Sequence, residues 1–450
     1  NQAFIPIYSD YEKTNNYSKT NDFLNAVAGT LLFSLFVFTT LVLIFAPIFI
    51  LIFAPGFYFD PIKQDLSVKA LRIMFPYLAL ISMVAFAGGV QNTHQKFSIP
   101  AFTPVIFNLS LIIAAIFVAP KYDMPIYVLA WGVLLAGFIQ LLIQIAPLRN
   151  IDRLPIPKFN FNNEGLRKFL IVIFPAILAG GIIQINLLVD TIFASLLETG
   201  SPTWLYVSDR LVQFPMGIFA IAVGTVLLPT LSKLDVSKEK LTFINSIKKG
   251  QKFVLFIGIP SLIGLMFSAE DLISTIFYRG AFTELDVVKS SYSLIAFSFG
   301  LPFFMLMKVL TPAFFARKDT KTPMYVAIVS LFLNASLNYL LAFTFGLGHV
   351  GIAIGSSIAA LVSVIILEAI LYKDGFLKMN GIFNKFNLMI LLSSTALVAF
   401  LYIYTSWINF MELNQIKRVF FLLIEITISI AIYFSISRLV FNRPLKQMFD

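Results

Sequence analysis

Twelve stretches of the chain run long and apolar, at 23–53, 70–92, 102–119, 126–146, 168–197, 204–231, 252–269, 288–315, 324–344, 350–372, 386–405 and 416–437. Each is close to the roughly 20 residues that cross a bilayer as a helix. Hydrocarbon offers no water to pair backbone N–H and C=O groups, so each stretch must satisfy its own, and an α-helix does that within one segment. The chain is therefore expected to be an all-α polytopic membrane protein. Composition agrees, with 58% hydrophobic and 12% charged residues, against about 25% charged in soluble domains.

The sequence also repeats at an offset of 223 to 226 residues. Pro6 matches Pro229, Gly56 matches Gly280, Lys96 to Pro100 matches Lys321 to Pro323, and Asn108 matches Asn334. Helices 23–53, 70–92, 102–119 and 126–146 then map onto 252–269, 288–315, 324–344 and 350–372. The second copy has two apolar segments before Pro229 and the first has none before Pro6. The repeat thus leads us to expect about 55 further residues at the front, in two more helices, giving 12 of 14. An even number of spans per half sets both halves in one orientation, related by an axis along the membrane normal. The expected organisation is an N-lobe at 1–146, a cytoplasmic linker at 147–167, a C-lobe at 168–372 and two extra helices within 373–450.

Charge predicts orientation. With residues 1–22 cytoplasmic, 23 Lys and Arg fall on that side, including Lys378, Arg443 and Lys446, and seven fall opposite. The positive-inside rule then places the C-terminus in the cytoplasm. It also explains the net charge of +10 without nucleic acid. Zero Cys and two His, His94 and His349, remove thiolate and most zinc chemistry. No phosphate-binding Gly-rich loop or nucleophilic triad is present in the sequence, so a catalyst is not expected. A membrane enzyme would want acidic residues clustered at one face. The cluster found, Glu270, Asp271, Glu284 and Asp286, reads as solvated loop charge.

Polar side chains inside spans need a reason. On 204–231, Tyr206, Arg210, Gln213 and Gly217 form one stripe, with Asp209 beside Arg210. This is either an interfacial ion pair or a cation lining a cavity for an anionic substrate. Pro215 is expected to break the helix nearby. Arg72, at the outer end of 70–92, joins these four as a candidate substrate-binding residue. On 168–197 lies Asp190, and on 324–344 lie Asn334 and Asn338, four residues apart on one face. If these helices touch, a carboxylate among amide oxygens suits Na+ or a proton; otherwise they are hydrogen-bonding glue, at about 0.6 kcal/mol each. Pro76, Pro175, Pro215 and Pro302 within spans suit a bundle that rocks, and Pro47 is expected to end or kink the first span.

Several runs resemble the MurJ/MviN lipid II flippases: Arg72-Ile-Met-Phe-Pro-Tyr-Leu78, Gln91-Asn-Thr-His-Gln-Lys-Phe-Ser-Ile-Pro-Ala-Phe102, Asp190 to Ser195, Ser208-Asp-Arg-Leu211 with Phe214-Pro215, and Gly224 to Pro229. The resemblance covers essentially the whole chain in order. It implies the two-lobed fold of the multidrug/oligosaccharidyl-lipid/polysaccharide (MOP) exporters and export of the lipid-linked peptidoglycan precursor, lipid II, across the bacterial cytoplasmic membrane. It implies a basic cavity, to which Arg210 belongs, and a groove for the polyprenyl tail at 386–405 and 416–437. The expected partners are lipid II and membrane lipids, with the chain acting as a monomer. No cofactor is expected beyond Na+ or H+ as coupling ion. Gln213 stands where the family often has Glu. The family's other cavity arginines lie in its first two helices, so a chain without those is not expected to transport. The competing readings are a flippase for another lipid-linked oligosaccharide and a MATE-like drug or cation exporter; Arg210 disfavours the latter.

Overall fold

A computed structural model describes residues 4–14, 16–160, 163–234, 238–377 and 385–440. Lys378, Arg443 and Lys446 of the charge count lie outside the described residues, as does the side chain of Pro175. Every described regular element is helical. The chain forms two compact units, Asn1–Gly181 and Ile182–Asp450.

The first unit begins with α1 (Phe4–Lys13) and α2 (Tyr17–Ile44), then α3 (Ala46–Phe53) and a single turn, α4 (Pro55–Tyr58). It continues with α5 (Pro61–Met74), α6 (Tyr77–Thr93), α7 (Ser98–Ile113) and α8 (Pro125–Asn150). The long helix α9 (Glu164–Ser195) carries the chain into the second unit. There α10 (Ser201–Pro215) and α11 (Ile221–Ser232) precede α12 (Lys240–Phe267), α13 (Ala269–Phe277) and α14 (Glu284–Ala316). Last come α15 (Lys321–Tyr339), α16 (Gly348–Lys373), α17 (Lys385–Trp407) and α18 (Gln415–Val440). Eleven helical spans among the described residues are long and apolar enough to cross a membrane. Their outer faces stay apolar, with Phe36, Leu142, Val226, Phe332 and Leu423 exposed, as a surface facing lipid requires.

The repeat is physical. Tyr17–Ile44 and Lys240–Phe267 are both 28 residues long, and Pro125–Asn150 and Gly348–Lys373 both 26. Pro61–Thr93 and Glu284–Ala316 are both 33. Each pair starts 223 residues apart. Gln95 and Lys318, also 223 apart, both take positive φ, 57° and 60°, at the ends of their helices. Two π-helical turns, Ala114–Val118 and Leu340–Thr344, are 226 apart.

Prolines shape the spans, and side chains repair what they break. A proline at position i has no N–H for the carbonyl at i−4. The first span does kink, with α2 ending at Ile44 and α3 starting at Ala46. Pro47 leaves the Leu43 carbonyl free, and Arg72 Nε donates to it at 3.1 Å. Pro260 frees the Phe256 carbonyl, which accepts the Tyr433 hydroxyl at 2.9 Å. Pro312 frees that of Lys308. Gly224 faces that oxygen so closely that a Cβ would lie 3.0 Å from it, so the backbone of α11 packs directly against the freed carbonyl. Pro215 does not break its helix as expected; the chain widens into a π-turn, Met216–Ala220, and runs on as α11. A wider turn absorbs the missing bond at less cost than an open break in lipid.

The segment after α8 is pinned to α2. Asn25 accepts from Ile156 N through its side chain (2.7 Å) and from Lys158 N through its carbonyl (3.0 Å). Gly29 makes room, since a Cβ there would sit 2.2 Å from the Lys158 oxygen.

The proline repair is testable at Tyr433. Tyr433→Phe should lower unfolding free energy by about 1 kcal/mol, and the cost should shrink in a Pro260→Ala background, where residue 260 can bond the carbonyl itself. Equal costs in both backgrounds, measured by reversible unfolding in detergent, would contradict the assignment.

Candidate substrate and ion sites

Helix α10 presents two faces. Trp204, Leu205, Val207, Ser208 and Val212 are buried in the second unit, and Ser208 donates to the Ser290 carbonyl of α14 at 2.7 Å. The opposite face carries the stripe foreseen from spacing. Tyr206 and Arg210 are exposed and Gln213 is half-buried, while a Cβ at Gly217 would meet nothing within 4 Å. The Arg210 guanidinium lies over the Tyr206 ring, 4.7 Å from its centre, and Nη1 reaches Gln213 Oε1 at 3.4 Å. Gln213 in turn donates to Asp209, so the amide bridges the acid and the base on one helix. The result is a cation with most of its donors free on a helix apolar enough to span the membrane.

Helices α9, α15 and α16 build a second polar group. Asp190 Oδ1 accepts from Asn334 Nδ2 at 2.9 Å and Asn338 Nδ2 at 2.6 Å. Ser356 lies 3.3 Å from both Asp190 Oδ2 and Asn334 Oδ1. The i, i+4 spacing therefore does bring these residues together, and Ser356 is the member that spacing missed. It sits in a helix rich in small residues and carries no mark of its own. Gly355 beside it is required, because a Cβ there would fall 2.4 Å from Asn338 Oδ1. As placed, both amides donate, and the buried Asn338 Oδ1 has no hydrogen-bond partner.

Arg72 stands elsewhere, in the first unit. It is exposed, tied to the Leu43 carbonyl, and lines a groove of about 380 Å³ with Lys69, Ile73, Tyr127 and Trp131. Two further groups of the first unit were missed. Gln91 donates to Gln144, and Gln144 Nε2 to Thr103 Oγ1 at 3.2 Å. Glu12 accepts from Arg153 Nε at 2.6 Å and from Tyr8 at 2.5 Å, with His94 3.4 Å away. Burial works to raise the Glu12 carboxyl, but the bonds from Arg153 and Tyr8 and the nearby positive charges hold it below its usual range. Helix counting could not find these groups because their members lie up to 141 residues apart.

The acidic cluster at 270–286 divides: Glu270 and Glu284 are exposed, as expected of solvated charge, but Asp271 and Asp286 are drawn into the packing. Asp271 is 7% exposed. Asp286 forms a capping box with Thr283 and takes the Trp204 indole N–H at 2.7 Å. Helix α13 packs on α14 and α18, which covers what a loop would have left in water.

Asp190→Ala would leave two buried amides without an acceptor. It should lower unfolding free energy by about 1–3 kcal/mol; a change below about 0.3 kcal/mol in the same unfolding assay would show that the group carries no structural load.

Comparison with known proteins places this architecture. The sequence profile of the family described as lipid II flippase MurJ matches residues 1–426. A probable lipid II flippase of Haemophilus influenzae is 36% identical over 446 residues, covering 96% of this chain and 87% of that protein. The lipid II flippase of Burkholderia cenocepacia is 33% identical, covering 83% and 73%. A solved lipid II flippase structure in an inward closed conformation superposes with a TM-score of 0.81 at 27% identity, covering 98% of this chain and 87% of that one. An inward-facing multidrug MATE transporter shares the fold alone, with a TM-score of 0.65 at 13% identity over 83% and 86% of the two chains. With its family profile, its relatives and its helix arrangement in agreement, this chain is a member of the lipid II flippase MurJ family, on the MOP exporter fold.

Proposed function

We propose that the protein carrying this chain exports lipid II, a polyprenyl-diphosphate-linked sugar peptide, across the bacterial cytoplasmic membrane by alternating access. Family membership supports the substrate. The observation that carries the site is the open stripe of α10. An anionic diphosphate needs a cation that the fold has not already neutralised, and Arg210 is exposed with only one long hydrogen bond to Gln213. Arg is suited to the task because its planar fork grips two phosphate oxygens at once. Tyr206 holds the guanidinium plane from below, and Gln213 keeps Asp209 from pairing with it directly. Asp209 and Gln213 thus orient the cation, while Arg72 offers a second anion contact near a membrane edge.

Asp190, Asn334, Asn338 and Ser356 supply carboxylate, amide and hydroxyl oxygens, the donor set that a hard cation takes. The partnerless Asn338 Oδ1 fits such an ion, so Na+ or H+ at this group is our candidate for coupling. The C-terminus lies in the cytoplasm, by the 23-to-7 division of basic residues. An inside-negative potential then drives the anion outward. Two negative charges moving through 100 mV contribute roughly 4 to 5 kcal/mol.

Purified protein in liposomes should show both effects. Arg210→Ala should slow lipid II flipping at least about tenfold, the loss of one charge-assisted contact, with Arg210→Lys intermediate. Flipping at the normal rate by Arg210→Ala would remove the cavity assignment. Separately, collapsing an inside-negative potential should slow export, and indifference to potential would refute the energetic account.

A further inference from the structure

Helices α13 and α18 meet along a polar seam within the second unit. Ser268, Asp271 and Thr275 follow one another at one face of α13, and Gln415, Arg418 and Glu425 do so on α18. Gln415 Nε2 donates to the Thr275 carbonyl at 2.7 Å. Arg418, 6% exposed, donates to the carbonyls of Phe410 (2.8 Å), Met411 (2.9 Å) and Ser274 (3.4 Å) and lies 4.6 Å from the Tyr278 ring centre. Its charge is thereby absorbed by backbone dipoles and an aromatic face. It does not bond to the acids of the seam.

Those acids face each other. Asp271 and Glu425 lie within hydrogen-bonding reach, and Ser268 donates to Glu425 Oε1. Glu425 is 1% exposed, Asp271 7% and Thr275 5%. Asp271 Oδ2, Glu425 Oε2 and the Thr275 hydroxyl are all buried without a hydrogen-bond partner. Two carboxylates in such a place cannot both stay ionised without a counter-charge. Three partnerless oxygens at one seam leave room for that charge to bind.

We propose that Asp271 and Glu425, with Ser268 and Thr275, form a binding site for one exchangeable monovalent cation, H+ or Na+, that closes the seam between α13 and α18. It is a separate site from the Asp190 group. Its place gives it a distinct consequence, because α17 and α18 lie outside the repeat whereas α13 belongs to it. With the cation bound, the added helix pair is held to the repeated core; with the cation gone, like charges push the seam apart. Burial first, and then the negative charges of Glu425 and Glu270, push the Asp271 carboxyl up from its ordinary range. Other ionisable groups on the neighbouring elements include Arg418 and Lys417 on α18, Tyr404 on α17, which feels the charges of Glu425 and Asp271, Glu412, which takes Asn409 Nδ2 at 2.9 Å, Asp286 on α14, and Glu284 at its head, which takes the Tyr278 hydroxyl at 3.0 Å.

The sign follows from linkage. A carboxyl whose pKa is raised in the folded state holds its proton more tightly there, so stability falls as pH rises from the unfolded carboxyl value, about 4, through the raised one. The test is thermal unfolding of the purified protein across roughly pH 5 to 9, in choline or Na+ at equal ionic strength. In choline the unfolding midpoint should fall with pH by a few degrees (~2–4 °C), and Glu425→Gln should flatten that slope. If Na+ is the occupant, it restores the wild-type midpoint at high pH and has no such effect on Glu425→Gln; if H+ is, Na+ and choline give the same curve. Should Glu425→Gln fail to fold, Asp271→Asn carries the same comparison. A wild-type midpoint indifferent to both pH and Na+, or an unchanged dependence in the variants, would overturn the proposal.

Discussion

Every backbone group inside a bilayer must find a partner within the protein, and this chain places prolines where that rule is hardest to keep. The breaks are met in several ways. Arg72 and Tyr433 reach across from other helices to bond freed carbonyls. Gly224 brings its backbone close to the Lys308 carbonyl. After Pro215 the helix itself widens by a π-turn. The first three repairs tie the position of a kink to a neighbouring helix, so those bends are fixed features of the packing rather than loose joints. For Arg72 this adds a structural task to the anion contact that its charge suggested.

The same rule decides which polar side chains are available. Most buried polar groups here are already matched: Ser208 to a carbonyl of α14, Gln144 to Thr103, and Glu12 to Arg153. Arg210 differs, since it is exposed on α10 with its donors largely unused. Buried oxygens lack a donor in the Asp190 group and the Asp271–Glu425 seam, as they also do at Gln91, Gln140 and several hydroxyls, and in these two groups they accompany a carboxylate. A transporter needs both kinds of incompleteness. An anionic substrate requires an uncommitted cation, and a coupling ion requires oxygens that the protein does not fully satisfy.

Much of this was legible in the residues. Among the described residues, eleven of the twelve expected spans, all but 168–197, reappear as helices long and apolar enough to cross a membrane, and the offset of 223 to 226 reappeared in matched helix lengths, matched positive-φ residues and paired π-turns. The meeting of Asp190 with Asn334 and Asn338 followed from one-face spacing. What escaped were contacts between residues distant in sequence. Ser356 looks like any small residue of a tight helix interface. Asp271 sits in a charged stretch that reads as a loop, and only the packing of α13 on α18 buries it. The Leu43 carbonyl freed by Pro47 was visible in principle, but no local signal names Arg72 as its partner.

A basic stripe would serve any lipid-linked diphosphate, and family membership is what points to lipid II among them. The most direct measurement is rescue of a bacterium depleted of its own lipid II flippase by the protein carrying this chain, with lipid II assayed at the outer face of the membrane. The account predicts restored growth, lipid II accessible from outside, and loss of both with Arg210→Ala. Lysis on depletion, with the protein present in the membrane and lipid II still confined to the inner face, would contradict it.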